Sequence, residues 1–292
     1  MKYAYYPGCT LSTKAKNLDG SAKKAVASLG IELRELSHWN CCGTTFPLVT
    51  DNLMPLLAPA RVLANAEKEG SKLVTLCSFC YNVLKRTNTV LNQDLQNKEK
   101  IAQFLKDEGR EYTGGTQVIH LLELLRDEVG FKNIKNKIKV DLTNLKVAPY
   151  YGCQLLRPAE ELQLDDPENP QIIEDFLKSI GCEVIDSPYE TECCGSYLSV
   201  CSEDVVIDCS YRILASAIKN GAEAISVSCP LCYFNLDQNQ KKMREKISGF
   251  TEIPIFYFTE LLEIALGIDS EVDRFDLHFV DPGPLLTSKN LS

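Results

Sequence analysis

The sequence lacks several features that would place it in a common class of protein. No apolar run approaches the roughly 18 residues that a membrane-spanning helix needs, and the stretch from Met1 to Cys9 has no signal-peptide apolar core. Neither a glycine-rich phosphate loop nor a GxSxG motif occurs, so a nucleotide or flavin would have to be bound by another subunit. We therefore expect a cytoplasmic protein with no direct membrane insertion.

Positive charge and histidine are also scarce. The chain has 31 Lys and Arg residues against 40 Asp and Glu residues, and the resulting net charge of -9 argues against a nucleic-acid partner. Of its three histidines, His120 and His278 have no ligand partner by spacing. Neither of these two is therefore a candidate ligand.

Cysteine, by contrast, is abundant, with 13 residues in a chain of 292. Without a secretion signal, clustered thiols favour metal binding over disulfide bonds. Ten of the cysteines form two sets of one pattern: a single cysteine, an adjacent pair followed by glycine, and a CxxC that begins after a gap of 34 residues in both sets. The sets are Cys9, Cys41, Cys42, Cys77 and Cys80 in the first half, and Cys153, Cys193, Cys194, Cys229 and Cys232 in the second. This repetition predicts a duplicated metal site.

Each set of cysteines lies on an alternating pattern of strands and helices. The single cysteine follows the first predicted strand of its half, the pair follows the second, and the CxxC begins as the third ends. The predicted strands are 3–6, 31–36, 73–76 and 117–119 in the first half, and 147–151, 183–185, 224–228 and 254–258 in the second. Such alternation implies parallel strands, whose carboxyl ends share one edge of a sheet. We expect all five cysteines of a set to converge at that edge.

We therefore predict an α/β protein of two tandem duplicated Rossmann-like domains, residues 1–143 and 144–292, each with a mostly parallel sheet of about four strands flanked by helices. The boundary is placed in the polar, lysine-containing stretch 133–145. Leu121-Leu122-Glu123 is matched with Leu261-Leu262-Glu263, which extends the repeat beyond its cysteines. The second domain is predicted to end in an extended arm, residues 269–292.

The two copies differ in length before the cysteine pair. The second copy is eight residues longer there, and the proline- and acid-rich stretch 157–170 is predicted to be the insertion. A cover over a substrate pocket and a solvated loop without a role are equally good interpretations of it. Three further cysteines, Cys182, Cys201 and Cys209, have no counterpart in the first half and are predicted to be small buried hydrophobic residues.

Five thiols per site favour an iron–sulfur cluster. Structural zinc sites use four ligands, usually as two well-separated pairs, and two adjacent cysteines suit a single tetrahedral ion poorly. Iron–sulfur clusters spread their ligands over several irons, and thiolates are their usual ligands. The closely spaced cysteine run of ferredoxins is missing, so the spacing does not indicate a common cubane module. Zinc and redox-active disulfides remain the alternatives.

The motifs resemble those of a known family. Tyr-Tyr-Pro-Gly-Cys9 and Tyr-Tyr-Gly-Cys153, each followed by Cys-Cys-Gly and CxxC, are similar to the CCG-domain family and, within it, to the B subunits of heterodisulfide reductase from methanogenic archaea. The resemblance covers nearly the whole chain. The chain has two CCG domains and no appended ferredoxin or flavin region, which favours the B subunits. An electron-transfer CCG subunit of a succinate, lactate, glycolate or glycerol-3-phosphate type dehydrogenase complex is the alternative.

This resemblance implies a catalytic subunit that reduces the coenzyme M–coenzyme B heterodisulfide to the two thiols in methanogenesis. It implies two noncubane [4Fe-4S] clusters, each bound by all five cysteines of its set, with the disulfide between them. It also implies a multisubunit complex with a ferredoxin-type iron–sulfur subunit and a flavin-containing subunit. His38 is a candidate proton donor to a product thiolate, although a structural loop histidine is the simpler interpretation. The candidate contacts for the anionic groups of the substrate are Lys14, Lys16, Arg61, Lys85, Arg86 and Arg157.

Overall fold

The computed structural model describes residues 1–44, 53–70, 72–268 and 275–291. In these residues it contains two four-stranded sheets, in which every neighbouring pair of strands is parallel. The strands are β1 (Lys2–Tyr5), β2 (Glu32–Glu35), β3 (Lys72–Thr75), β4 (Gln117–His120), β5 (Lys146–Tyr150), β6 (Glu183–Val184), β7 (Ala224–Val227) and β8 (Ile255–Tyr257). Their orders are β2-β1-β3-β4 and β6-β5-β7-β8. The predicted α/β fold with two parallel sheets is confirmed.

Helices connect the strands and cover both sheets. They are α1 (Gly8–Leu11), α2 (Lys16–Ser28), α3 (Leu57–Glu69), α4 (Ser78–Gln93), α5 (Leu95–Asp107), α6 (Leu121–Leu124), α7 (Phe131–Lys135), α8 (Ala159–Leu162), α9 (Ile172–Ser179), α10 (Glu203–Lys219), α11 (Pro230–Gln238), α12 (Gln240–Lys246), α13 (Phe258–Ala265) and α14 (Gly283–Ser288). Their boundaries have local causes. Pro230 opens α11, where a missing backbone N–H costs nothing, and Asp94 caps α5 by accepting the N–H of Asn97 at 3.0 Å.

The stretch between the two sheets is more ordered than a polar linker. Helix α7 occupies its beginning, and the backbone N–H groups of Lys139 and Val140 both donate to the carbonyl of Ala265, at 2.9 and 3.0 Å. These hydrogen bonds tie the connection to the end of α13. The boundary at residue 143 stays a prediction.

The C-terminal segment folds back onto the second sheet, so the prediction of an extended arm is wrong for residues 275–291. Buried Asp237 accepts the N–H groups of Phe279 and Val280 at 2.7 and 3.2 Å. The imidazole of His278 lies 3.0 Å from the buried carboxylate of Glu260, and Leu286 of α14 is buried in the core. The rest of that predicted arm, 269–274 and 292, lies outside the described residues.

In the last strand and helix of each half, the two copies align differently from the sequence prediction. The predicted match of Leu121-Leu122-Glu123 with Leu261-Leu262-Glu263 is wrong by three residues. His120 ends β4, and its backbone N–H donates to Glu123 at 3.2 Å. Tyr257 ends β8, and its N–H donates to Glu260 at 2.8 Å. Because each carboxylate caps the start of the helix that follows its strand, Glu123 corresponds to Glu260 and not to Glu263.

The two halves pack directly against each other. Ser21 of α2 shares a 2.7 Å hydrogen bond with Thr259 of α13, and both residues are buried. The insertion contributes as well, because Asn82 of α4 donates to the carbonyl of Arg157 at 2.7 Å and Tyr81 donates to the carbonyl of Leu162 at 3.1 Å. This part of the insertion is a packed link between the halves and not a solvated loop.

Candidate metal centre

The first set of thiols lies where the carboxyl ends of β1, β2 and β3 meet. The sulfur of Cys9 is 3.7 Å from that of Cys41, and the sulfur of Cys42 is 3.6 Å from that of Cys80. Cys41 and Cys42 are adjacent in the chain and influence each other's pKa, as do Cys80 and Cys77 of the CxxC. The five thiols therefore form an unbroken row in the order 9, 41, 42, 80, 77.

The second set repeats this row. Cys153 hydrogen bonds to Cys193, and Cys193 to Cys194. The sulfur of Cys194 lies 3.5 Å from that of Cys232, which hydrogen bonds to Cys229. Each thiol has the same neighbours as its counterpart in the first half, so the duplication predicted from the sequence extends to the order of contacts.

The two rows meet at their inner ends. The thiols of Cys77 and Cys229 influence each other's pKa, and the hydroxyl groups of the adjacent residues Ser78 and Ser228 are 3.0 Å apart. All ten thiols thus form one continuous group across the boundary between the halves. The inner thiols are buried and the outer ones reach the surface: the buried members are Cys42, Cys77, Cys80, Cys194, Cys229 and Cys232, and the exposed ones are Cys9, Cys41 and Cys193.

A glycine in each half makes room for this packing. Gly8 has a φ of +73°, and a Cβ added to it would lie 2.9 Å from the sulfur of Cys80. Gly152 has a φ of +64°, and its added Cβ would lie 3.1 Å from the sulfur of Cys232. Both the positive φ and the close approach require glycine immediately before the single cysteine of each set.

Two tyrosines hold the Cys-Cys-Gly loops in place. The hydroxyl of Tyr6 donates to the carbonyl of Asn40 at 2.9 Å, and that of Tyr150 donates to the carbonyl of Glu192 at 2.7 Å. Each carbonyl belongs to the residue before a cysteine pair. The sequence did not predict this role for the two tyrosines. The only sign of it was that both copies of the motif have tyrosines shortly before the single cysteine.

The thiols bias each other's ionisation. Interaction with Cys41 and Cys80 lowers the pKa of Cys42 below that of a free thiol, and interaction with Cys153 and Cys194 does the same to the pKa of Cys193. Each set therefore stabilises a thiolate. The CxxC of each set also opens a helix, α4 or α11, whose N-terminal end favours negative charge.

The thiols touch in pairs along the row. Among the described residues, no group of three or more His, Cys, Asp or Glu side chains is arranged to hold a metal ion as it stands. The fit of a metal is therefore judged from the donors: five soft thiols in each half, with the inner ones shielded from water. Such a donor set fits an iron–sulfur cluster.

A surface cleft of about 770 Å³ adjoins the exposed Cys41. His38, Trp39, Arg61 and Arg110 are among its lining residues. The Nδ1 atom of His38 lies 3.2 Å from the hydroxyl of Ser37. The structure thus places His38 in the same cleft as Cys41, the second thiol of the first row.

Glu190 holds the position of His38 in the second half, and no function was predicted for it from the sequence. Its backbone carbonyl accepts the N–H groups of Tyr151 and Gly152 at 2.8 and 3.0 Å, next to Cys153. Burial raises the pKa of its carboxyl group to about 7. Glu190 could have been found from the sequence, because it is separated from His38 by the same number of residues that separates the two cysteine pairs.

Most of the candidate cations already have acidic partners. Ion pairs join Arg61 to Glu108, Lys85 to Glu123 at 3.7 Å, Arg86 to Glu161 at 3.6 Å, and Arg157 to Glu168 at 3.2 Å. Lys14 and Lys16 are exposed, and neither has an acidic partner in the described part of the chain. An anionic substrate would have to compete with these carboxylates at four of the six positions.

The three additional cysteines lie in different environments. Cys182 is buried, as predicted, and burial raises the pKa of its thiol to about 12. Cys209 is only partly buried. Cys201 is exposed, so the prediction is wrong for this residue, which follows a surface turn of 3-10 helix at Ser196–Val200.

These observations define a duplicated cysteine-rich α/β protein with a paired metal centre as its candidate site. A family model described as the cysteine-rich CCG domain matches residues 3–85 and 147–237. The chain belongs to this CCG family, as its motifs indicated.

Similar proteins include subunits of two kinds of oxidoreductase. The 8-methylmenaquinol:fumarate reductase membrane anchor subunit of Wolinella succinogenes is 33% identical over 270 residues, which cover 92% of this chain and 94% of that protein. The B subunit of the ferredoxin/F420H2-dependent CoB-CoM heterodisulfide reductase of Methanosarcina acetivorans is 28% identical, covering 92% and 91%. A protein of Archaeoglobus profundus that is named as similar to the heterodisulfide reductase B subunit is 29% identical, covering 93% and 92%.

A solved structure supports the fold. The crystal structure of a hypothetical protein from Helicobacter pylori superimposes with a TM-score of 0.75 at 15% identity, over 95% of this chain and 51% of that chain. This chain therefore spans about half of that protein. No helix in the described residues is long and apolar enough to cross a membrane.

Proposed function

We propose that this chain is an electron-transfer subunit of a multisubunit oxidoreductase, in which the ten thiols hold two noncubane [4Fe-4S] clusters. The observation that carries the proposal is the continuous row of thiols, five from each half, joined at Cys77 and Cys229. Bound there, the clusters would supply one-electron oxidation and reduction. The protein's own contribution is to fix the thiols, through Tyr6 and Tyr150, and to shield the inner ones from water.

The substrate that we place first is a quinol. The relative from Wolinella succinogenes, which is 33% identical, is named for an 8-methylmenaquinol:fumarate reductase. Oxidation of a quinol releases two electrons and two protons, so two clusters would each accept one electron. His38 and Glu190, each three residues before a cysteine pair, are the residues proposed to accept the protons.

The heterodisulfide of coenzyme M and coenzyme B is the second candidate substrate. Relatives at 28% and 29% identity are named as the B subunit of heterodisulfide reductase and as a protein like it. Cleavage of the disulfide to two thiols consumes two electrons and two protons, which again suits two clusters. We place it second because its sulfonate, phosphate and carboxylate groups need cations, and four of the six candidates are paired with carboxylates.

The electrons would come from or go to partner subunits. The relatives are named as subunits of larger enzymes, which supports an assembly with a ferredoxin-type iron–sulfur subunit and a flavin-containing subunit. Purification of the chain as a fully active monomer would contradict this part of the proposal.

Metal analysis tests the proposal most directly. Anaerobically purified protein should contain about eight iron and about eight acid-labile sulfide atoms per chain, the content of two [4Fe-4S] clusters. One zinc per half without sulfide would eliminate it. The reduced complex, incubated with the heterodisulfide or with a menaquinone analogue, should reduce one of them; release of thiols without reduction of the quinone would reverse the order of the two substrates.

A further inference from the structure

Tyr257 occupies a special position at the junction of the two rows of thiols. It ends β8, where it pairs in register with Val227 of β7, and Cys229 follows two residues after Val227. Its side chain is fully buried. The ring stacks on Tyr233 with a centroid distance of 4.4 Å and an interplanar angle of 17°, which fixes its orientation.

The hydroxyl group of Tyr257 has no hydrogen-bond partner among the described residues. A buried hydroxyl without a partner is costly, typically about 1–3 kcal/mol, and it is exceptional among the tyrosines near the thiols. The hydroxyls of Tyr6, Tyr150 and Tyr81 all donate to backbone carbonyls. The Tyr257 hydroxyl therefore needs a partner that the polypeptide itself does not supply.

The surroundings of this hydroxyl identify the class of partner. Burial raises the pKa of Tyr257 well above its ordinary value, which keeps the proton on the oxygen. Its ring stacks on that of Tyr233, the residue that directly follows Cys232, and its strand neighbour Val227 lies two residues before Cys229. The group is thus a buried hydrogen-bond donor on elements that border the CxxC of the second cysteine set.

The first half has no such donor at the corresponding position. His120 ends β4 as Tyr257 ends β8, and it is equally buried. Its Nε2 atom lies 2.9 Å from the carbonyl oxygen of Leu76, the residue before Cys77, and donates to it. The polar group of His120 is therefore satisfied by the backbone, whereas the Tyr257 hydroxyl at the equivalent position is not. The second set has a further buried donor in Asn235, whose amide donates to the sulfur of Cys194 at 3.4 Å.

We propose that the hydroxyl of Tyr257 donates a hydrogen bond to a sulfur atom of the cluster held by the second cysteine set and thereby raises its reduction potential above that of the first cluster. This inference rests on the proposed function, because it requires the clusters. Hydrogen bonds to cluster sulfurs stabilise the reduced, more negative state. An electron entering the pair would accordingly reside on the second cluster.

The substitution Tyr257→Phe tests the inference, because it removes only the oxygen and keeps the stacked ring. The full-length protein, purified anaerobically with its iron and sulfide, is titrated electrochemically while the clusters are followed by electron paramagnetic resonance. We expect the equilibrium constant for one-electron reduction of one cluster to fall about tenfold. This change corresponds to a reduction potential lower by about 59 mV. The other cluster should keep its potential.

Tyr233→Phe is the matched control. Its hydroxyl lies 3.3 Å from the carbonyl of Leu277 and is directed to the C-terminal segment, so both potentials should stay at wild-type values. Unchanged potentials in an iron-replete Tyr257→Phe protein, or equal changes in both variants, would overturn the inference while leaving the proposed function intact. Absence of iron from the wild-type protein would overturn both.

A measurement on the wild-type protein covers the case in which Tyr257→Phe does not fold. After exchange into D2O, pulsed electron paramagnetic resonance should detect, at one cluster, a hydrogen-bonded deuteron in addition to those of the Asn235 amide, which donates to the sulfur of Cys194. Equal deuteron coupling at the two clusters would contradict an asymmetric donor.

Discussion

The hydroxyl groups of Ser78 and Ser228 share a 3.0 Å hydrogen bond across the boundary between the two halves, and both residues are buried. Ser78 directly follows Cys77, and Ser228 directly precedes Cys229. This bond therefore fixes the distance between the inner ends of the two rows of thiols. The spacing of the two proposed clusters depends on it.

Removal of this hydrogen bond should destabilise the protein, and the effects of the two serine substitutions on the free energy of unfolding should not be additive. Ser78→Ala or Ser228→Ala leaves one buried hydroxyl without a partner, so each should lower the free energy of unfolding by about 1–3 kcal/mol. The double variant should cost less than the sum of the two by about 1 kcal/mol, because the second substitution removes the orphaned group. Urea unfolding followed by the fluorescence of Trp39, the single tryptophan, measures all three. Strict additivity would show that the two hydroxyls do not interact.

Loss of one cysteine should empty one metal site and leave the other filled. Cys80→Ser removes a central thiol of the first row, and Cys232→Ser removes its counterpart in the second. Each variant should therefore retain about half of the wild-type iron and sulfide. Cys182→Ser is the control, because this buried thiol belongs to neither row and burial alone shifts its pKa, so its replacement should leave the iron content unchanged. Full iron in Cys80→Ser would remove this residue from the ligand set.

Much of the fold follows from local sequence patterns. The alternation of strands and helices and the position of each cysteine at a strand end were sufficient to predict two parallel sheets with the thiols at one edge. The register of the last repeat unit was wrong by three residues, because similar leucines around Glu123 and Glu263 obscured which carboxylate caps its helix. That choice depends on where β8 ends at Tyr257, which apolar periodicity does not reveal.

Contacts between distant parts of the chain were not predictable from the sequence. The pairing of Ser78 with Ser228 depends on how two complete domains pack. The folded C-terminal segment depends on a buried acceptor, Asp237, more than forty residues earlier in the chain. Each of these contacts is made by one or two common polar residues, so no periodic pattern in the sequence predicts it.

The proposed proton acceptors should control the rate of quinol oxidation. His38→Gln should lower turnover by about 100-fold if the imidazole accepts a proton in the rate-limiting step. The rate should also depend on the ionisation of Glu190, whose pKa is about 7. Only the ionised carboxylate can act as a base, so the rate should rise as the pH rises through 7. Glu190→Gln should abolish that inflection. An unchanged pH profile in Glu190→Gln would exclude this carboxylate as a base, and wild-type turnover in His38→Gln would exclude the imidazole.

The stability of the folded protein should fall as the pH rises through the pKa of Asp237. Burial raises the pKa of Asp237 to about 6, against an ordinary value of 3.8. Because the folded-state pKa is the higher one, the stabilisation is fully present below pH 3.8 and is lost as the pH rises through about 6. The expected loss of unfolding free energy is about 3 kcal/mol, since a pKa difference of one between the folded and unfolded states corresponds to about 1.4 kcal/mol.

The substitution Asp237→Asn removes the titration of this carboxyl together with its electrostatic interaction with His278. Glu260 and Asp237 both raise the pKa of His278, so the imidazole also loses stabilisation with rising pH, and its Glu260 contact is present in both proteins. The difference in unfolding free energy between wild type and Asp237→Asn, measured by urea denaturation from about pH 4.5 to about pH 7.5, should therefore change by most of the predicted amount. Asp204→Asn, at a carboxylate 92% exposed on the surface, should follow the wild-type curve. A pH-independent difference between wild type and Asp237→Asn would show that the carboxyl of Asp237 is already ionised in the folded protein at the low end of the range, held so by the N–H groups of Phe279 and Val280.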